Sequence, residues 1–556
     1  MTADSNKNLE RKLKIGILIR DLEKLENWEY RILQGIIEHP CLELSLFIKD
    51  GRKQGHSPKD QIGSNILLSF QCRIESLVFK NKKIVNSNDV LKKIASIETI
   101  YLNPAREGFL DNFTDEESDK VKRYDLDLIL QHEFNNISGN ILQAARFGIW
   151  CYHHSQYTSH RSGSVPWRVP YAGFWEIVNN EPCCCIALEK LAPEGSEGQI
   201  IDRAWLNWYF SFFKTNYDLL EESAVLLFKN IEKLLINGEI EFKDPLPCYI
   251  KPGKKISFGY FIIYTFRFYL KIFNYIINML FPIKRFNCWA LFFGKGVFLE
   301  TDFSKFKPAP LPKKVFWADP FLYRYENRLY VFFEKYIYKT RKGIISAGRV
   351  VESEIGKYSV VDVQDIFDFN YHLSYPCIVN EDGQIFMIPE THQNKRLEVY
   401  RCLHFPEKWE LFATAFDGEE IVDTTYFCDD NGDKWLFMNK GWSYNSELYI
   451  YKIDSLKLGR IVPHKLNPVM IDCRKGRSGG KIFRYEDNYY RTSQINTHGM
   501  YGKGLHISKI RKLTLEEYED EAIISIEPNF MKGLAGMHHL HQFEDNFVFD
   551  ACFKTL

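Results

Sequence analysis

Val315-Phe316-Trp317-Ala318-Asp319-Pro320-Phe321-Leu322-Tyr323 opens a pattern that returns four more times before residue 556. In each copy an apolar strand leads into a turn rich in Glu, Asp, Asn or Gly. A second apolar or aromatic strand follows, and together they read as a β-meander. The later copies are SYPCIVNEDGQIFMIPE from Ser374, VDTTYFCDDNGDKWLFMN from Val422, SGGKIFRYEDNYYRTSQ from Ser478 and GMHHLHQFEDNFVFDAC from Gly536. Alignment sets Asp319 against Tyr375, Asp423, Gly479 and Met537, at spacings of 56, 48, 56 and 58 residues. Radial repetition of such sheets predicts an all-β, five-bladed β-propeller over residues 289–556.

A chain of 556 residues exceeds what one hydrophobic core serves, so further domains are expected. Lys+Arg and Asp+Glu are equal at 72 each, which leaves no overall basic field and excludes nucleic acid as the expected partner. The polar start Met1–Lys12 has no apolar h-region, so no secretory signal is read there. The Cys residues number 13 and show no repeated CxxC spacing, which suits reduced thiols in a cytoplasmic protein. No metal site is expected, because a strand cannot turn Cys183, Cys184 and Cys185 toward one ion.

Residues 1–245 read as an α/β domain. Lys14–Arg20 is a strand, Asn27–His39 has helical spacing and Leu42–Ile48 is a second strand, an opening that predicts a parallel sheet. Leu126–Leu130 is a buried strand, Gly139–Arg146 a helix, and Gly148–Tyr152 a strand that runs into His153-His154-Ser155. Open α/β sheets place ligands at such carboxyl strand ends, so His153 and His154 are this domain's candidates. A strand-end pair satisfied by its surroundings is the competing reading. Further strands follow at Cys183–Leu191 and Gly198–Trp205. Tyr217–Leu235 closes the domain as a helix with Leu219, Leu220, Ala224, Leu227, Ile231 and Leu234 on one face.

The segment Gly148–Ser155, with Gly173–Trp175 and CCCIALEKLAPEGSEGQII, resembles the core of the folate-dependent formyltransferase fold, a Rossmann-type α/β domain. The resemblance implies a formyl-folate cofactor. It also implies an Asn-x-His pair and a later Asp, which together assist attack of an amine on the formyl carbon. The His falls on His153, the Asn position on Cys151, and the Asp position on or near Ser196, with Glu197 beside it.

Residues 246–288 read as a linker carrying the apolar stretch Phe258–Pro282, flanked by Lys254, Lys255, Lys284 and Arg285. Arg267, Lys271, Asn274 and Asn278 recur at helical spacing and form one polar stripe. Burying the Arg and Lys at mid-bilayer would cost ~2.5–3.5 kcal/mol each, so an interfacial helix is expected over a span. It would make the protein peripheral on the inner membrane face through residues 258–282. Packing of the helix between domains is the equal alternative.

In a propeller the first strand of every blade lines the axis, so Asp319, Tyr375 and Asp423 converge with His372, Arg477, His538 and His539 nearby. A second repeated position holds Glu334, Glu390, Asn439, Gln494 and Cys552. Trp-Ala-Asp-Pro-Phe resembles the opening of five-bladed furanosidase and sucrase-type glycosidases, which implies that Asp319 is a base or nucleophile. The fuller string ADPFL, FFEKY, HLSYP, IPET and VDTT resembles the propeller of plant glucosamine inositolphosphorylceramide transferases and of bacterial proteins that join it to a formyltransferase-like domain. Glycoside cleavage needs two carboxyl groups, ~5–5.5 Å apart for retention or ~6.5–9.5 Å for inversion. Asp319 with Glu390 is the expected pair and Asp423 the reserve; turn capping by these carboxylates is the structural alternative. Three functions remain open. One is a transferase acting on an amino sugar or sugar nucleotide, with the propeller holding the glycan of a carbohydrate or glycoconjugate substrate. The others are a glycosidase or transglycosidase at the funnel and a non-catalytic glycan-binding scaffold.

Overall fold

The computed structural model describes residues 11–19, 22–52, 66–79, 87–108, 110–132, 134–154, 172–193, 198–244, 256–280, 288–441 and 443–554. The chain divides into two units, Met1–Tyr269 and Leu270–Leu556, the division falling inside the helix that the sequence reading assigned to the 246–288 linker.

In the first unit, seven strands form one sheet: β1 (Leu13–Leu18), β2 (Leu42–Asp50), β3 (Thr99–Leu102), β4 (Leu128–Gln131), β5 (Ile149–His153), β6 (Cys184–Lys190) and β7 (Gln199–Leu206). Their order is β7-β6-β5-β4-β1-β2-β3. β1 to β5 pair in parallel, as the β-α-β opening predicts, while β6 pairs antiparallel with both β5 and β7. The central strands are buried on both faces, which explains their nearly unbroken apolar sequences.

Helices α1 (Asn27–Glu38), α2 (Ile66–Val78), α3 (Asn88–Ser96), α4 (Asp115–Lys122), α5 (Phe174–Asn179) and α6 (Phe212–Asn237) accompany the sheet. α6 buries Leu219, Ala224, Leu227, Ile231 and Leu234, the stripe its periodicity marks. Gly35 lets α1 lie on α6, since a Cβ there would come within 2.2 Å of the Phe228 ring. The helix expected over Gly139–Arg146 is only a four-residue 3-10 turn, Asn140–Gln143. Left-handed backbone at Gly139 (φ 98°) and Gly148 (φ 78°) breaks the segment at both ends, leaving too few residues for a stable α-helix.

Helix α7 (Phe258–Leu280) seats its first half on this unit. Tyr264 and Phe268 are buried, and the Tyr264 hydroxyl donates to Glu75 Oε1 at 2.6 Å. Arg267, part of the polar stripe, turns toward the domain. Its guanidinium donates to the carbonyl oxygens of Ile177 (3.0 Å) and Val178 (2.8 Å), which belong to the carbonyl end of α5. Among the described residues no helix is long and apolar enough to cross a membrane.

The second unit is propeller-like: five successive antiparallel sheets. The first holds Val315–Tyr325, Arg328–Ile337, Lys342–Glu354 and Lys357–Phe367, and the second Ser374–Glu381, Gln384–Glu390, Leu397–His404 and Lys408–Ala415. The third begins with Ile421–Cys428 and Lys434–Lys440, and the fourth with Phe483–Tyr485 and Asn488–Ile495. In the fifth, Asn546–Phe553 pairs along its whole length with Cys288–Lys295, so strands from the two ends of this unit complete one sheet.

The repeat seen in the sequence is a repeat of backbone geometry. The first strands of sheets one to three each carry a register shift, between Ala318 and Phe321, Ser374 and Cys377, and Val422 and Thr425. At these bulges Asp319, Tyr375 and Asp423 adopt left-handed φ of 50°, 46° and 50°. Such backbone costs about 1–2 kcal/mol for a residue with a side chain, so recurrence in three sheets marks a built feature. Tyr375 spends its hydroxyl on architecture. It lies 2.6 Å from Thr425 Oγ1 and accepts from the Gly480 N–H at 3.0 Å, joining the second sheet to the third and fourth.

Candidate active site

Asp319 comes to the funnel on the first bulge, and its neighbours arrive from sheets two to five. Its backbone N–H donates to Asp550 Oδ2 at 2.9 Å. The other Asp550 oxygen accepts from the N–H groups of His538 (3.2 Å) and His539 (3.0 Å) and lies 2.7 Å from His538 Nδ1. Asp550 therefore fixes both Asp319 and the His538-His539 pair. His538 stacks on Trp289 with ring centroids 4.0 Å apart, and its Nε2 lies 3.5 Å from Asp319 Oδ1; His539 Nδ1 lies 3.6 Å from the same oxygen. Among the described residues no donor hydrogen-bonds the Asp319 carboxylate, although the residue is only 5% exposed.

The opposite group is anchored by Arg477. Its Nε donates to Asp423 Oδ2 at 2.7 Å and Nη1 to Asn445 Oδ1 at 2.8 Å, while Gln494 Nε2 donates to the same Asp423 oxygen at 3.0 Å. The guanidinium also lies over Tyr444 and Tyr501, 5.1 and 4.9 Å from their ring centroids. Both aromatic residues are exposed, at 38% and 46%, beside a buried polar floor. Glu390 has His392 Nδ1 2.7 Å from its Oε1, and Glu334 has His372 Nε2 at 3.5 Å. His372 Nδ1 accepts the Gly343 N–H at 2.9 Å.

These carboxyl groups differ in proton affinity. Burial pushes Asp423 up to about 8; Arg477 opposes the rise, and the charges of Glu390 and Asp319 add to it. Burial also raises Asp319, to about 6, with His538 opposing and Asp550 and Glu390 adding. Glu390 suffers the same burial, but the His392 hydrogen bond and the Arg477 charge outweigh it and hold the group down to about 2. Burial and the surrounding carboxylates drive Glu334 well above its ordinary range. Burial thus favours the proton on Asp423, while the His392 hydrogen bond favours the charge on Glu390. Groups whose environments separate their proton affinities in this way can supply an acid and a base to one reaction.

A pH profile tests that assignment. With a raised affinity, native Asp423 binds a proton that unfolded Asp423 releases, so its contribution is complete at low pH and is lost as pH rises through about 8. Asp423→Asn cannot ionise, and its unfolding free energy should fall less than that of the wild type between about pH 4 and 8. Parallel curves would reject the assignment.

The sequence candidates thus fall into two groups. Asp319, Glu390, Asp423, Arg477, His538 and His539 gather at the second unit's funnel, with His372 reaching Glu334 and Tyr375 tying sheets together. Asp550, His392, Tyr444 and Tyr501 complete the site and were not singled out. Asp550 could have been noticed as the lone acid in the apolar run Phe547–Cys552.

In the first unit His153 ends β5, with Nε2 2.7 Å from Glu189 Oε2 and 3.7 Å from Cys151 Sγ. Glu189 stands opposite Cys151 in the β5–β6 register, which places all three side chains on one face. Ser196 and Glu197 lie outside the described residues. His154 Nε2 lies 2.8 Å from Ser223 Oγ of α6. Formyl transfer from a folate needs an amide donor at the formyl oxygen. The buried Cys151, its thiol raised well above its usual range by burial, does not fit that need.

Buried carboxyl groups from successive antiparallel sheets thus meet beside the exposed rings of Tyr444 and Tyr501, an arrangement of acceptors and ring faces that can engage hydroxyl groups. Residues 307–541 match the family described as "Glucosamine inositolphosphorylceramide transferase 1, N-terminal". The chain is 34% identical over 211 residues to glucosamine inositolphosphorylceramide transferase 1 of Oryza sativa subsp. japonica, a match covering 37% of this chain and 27% of the relative. With the Arabidopsis thaliana protein of the same description the identity is 33% over 257 residues, covering 44% and 32%. The chain thus spans about a third of the length of the curated relatives it matches. Among solved structures, Cellvibrio cellulosa alpha-L-arabinanase complexed with arabinohexaose aligns at 13% identity and a TM-score of 0.32, over 44% of this chain and 89% of that one. CoXyl43, a GH43 beta-xylosidase/alpha-arabinofuranosidase from a compost microbial metagenome, aligns at 13% identity and a TM-score of 0.31, over 43% and 87%.

Proposed function

We propose that this chain modifies a glycoconjugate, as a transferase acting on an amino sugar or sugar nucleotide, and that its five-bladed propeller holds the glycan in the funnel. The observation carrying this reading is Asp319: a buried carboxylate on left-handed backbone, fixed through its N–H and with no donor on its oxygens among the described residues. Asp319 acts at the sugar, Asp423 supplies the proton, and Tyr444 and Tyr501 offer ring faces to the pyranose. The similarity to plant glucosamine inositolphosphorylceramide transferases supports the glycoconjugate class. The Asp319 carboxylate, with no hydrogen-bond donor among the described residues, is an open acceptor for a ligand ammonium group. The divided proton affinities of Asp423 and Glu390 favour a second reading, a glycosidase at the same funnel. We assign no formyl transfer to the first unit, because Cys151 stands at the amide position.

Calorimetric titration of the full chain with glucosamine oligosaccharides should give heat that the N-acetylated counterparts do not. Incubation with sugar nucleotides and a glycolipid acceptor, followed by mass spectrometry, should show the acceptor gaining a sugar. Free sugar as the only product would select the glycosidase, and absence of heat with every glycan would sink the funnel as a site.

A further inference from the structure

Outside the funnel, the largest uncommitted feature is the outer face of α7. Among the exposed positions of the helix, Phe258, Ile262, Phe266, Tyr269, Phe273 and Leu280 recur at helical spacing and form an apolar and aromatic stripe, beside the exposed Lys271 and Asn274. Phe258, Phe266 and Leu280 are 67%, 66% and 61% exposed. With 23 residues the helix is about 35 Å long, so this is a continuous stripe and not a scatter of single apolar side chains. α2, which contacts α7 through Gln71 and Glu75, itself exposes Phe70 and Leu77, at 64% and 78%.

The two helices are joined by a buried carboxylate. Glu75 on α2 accepts from the Tyr264 hydroxyl of α7 (2.6 Å), from Ser211 Oγ (2.6 Å) and from the Phe213 N–H (3.1 Å). The inner side of α7 is therefore committed to the domain, through Tyr264, Phe268 and the carbonyl-bound Arg267. A helix tied down in this way cannot thread a bilayer. It can only present its outer face.

Charge decides what that face meets. Residues 245–299 contain eight Lys or Arg and no Asp or Glu, within a chain whose totals balance at 72 each; Arg267 is committed to the α5 carbonyls and Lys295 to Glu352, which leaves six. A second copy docking isologously would bring two such basic segments together. An anionic lipid surface would complement them, with the apolar stripe entering the acyl boundary and the cations meeting headgroups.

We propose that α7 and α2 form a docking surface for an anionic membrane, with α7 lying in the plane of the interface. This does not depend on the funnel chemistry and is tested by binding alone. The full chain is floated with phosphatidylcholine vesicles prepared with and without phosphatidylserine, beside the variant Phe266→Glu/Phe273→Glu. The wild type should partition onto the anionic vesicles, less so as salt rises. The variant should lose at least roughly tenfold in partitioning. Because both phenylalanines are exposed, its thermal unfolding midpoint should match that of the wild type. Absence of the wild type from the anionic vesicles, or equal partitioning of the variant, overturns the proposal. A wild-type dimer that the variant converts to monomer, with no vesicle binding by either, gives the face to a second copy and overturns it too.

Discussion

Asp319→Asn should leave a folded protein whose glycan turnover is lower by about 10²–10⁴-fold, the usual worth of a positioned acid–base group. The substitution isolates the charge. Asn occupies the same volume and tolerates left-handed backbone better than most residues, so the bulge at φ 50° survives. Among the described residues no hydrogen bond to the carboxylate is forfeited, and the backbone N–H keeps its acceptor on Asp550. Removing a carboxylate whose ionisation burial opposes should also leave stability at neutral pH unchanged or slightly higher. Turnover measured beside a denaturation curve separates the outcomes. Wild-type turnover in a folded variant would remove Asp319 from the chemistry, whereas an unfolded variant would contradict the satisfied-backbone argument.

The largest effect on stability is expected at a residue with no place in the reaction. Asp550→Ala strips the acceptor from the N–H groups of Asp319, His538 and His539, all buried, and leaves the His538 imidazole without its carboxylate. Hydrogen bonds to a charged group contribute about 1.5–3 kcal/mol each, and breaking a buried charged cluster from one side typically costs about 3–5 kcal/mol. Denaturant unfolding should show a loss in that range, with partial recovery in Asp550→Asn, whose single carbonyl oxygen can still accept. A loss under about 1 kcal/mol would place Asp550 among ordinary positions.

How much of this was legible in the sequence differs between residues. The equivalence of Asp319, Tyr375 and Asp423 could be read because the bulge that displays them is local, formed by two strands and the turn between them. The second repeated position was legible for the same reason, and Glu334, Glu390, Asn439 and Gln494 are all buried on the second strands of their sheets. Asp550 was not, because its partner Asp319 lies 231 residues away and meets it only where the fifth sheet adjoins the first. Glu189 was missed likewise: its place opposite Cys151 follows from an antiparallel register that no periodicity announces. For α7 the spacing showed which residues share a face, but the contacts of Arg267 with the carbonyls of α5 decided which side turns inward.

The pairing of Cys288–Lys295 with Asn546–Phe553 ties competence to completion. Asp550 lies on the later of these strands, so the acceptor that orients Asp319 is delivered by the same sheet that brings the unit's two ends together. Loop-closure entropy makes contacts of such separation slow to form. A nascent or partly unravelled propeller would display its first three bulges without the brace that aims the carboxylate. The ring therefore fixes the backbone of Asp319 only once the last sheet has formed.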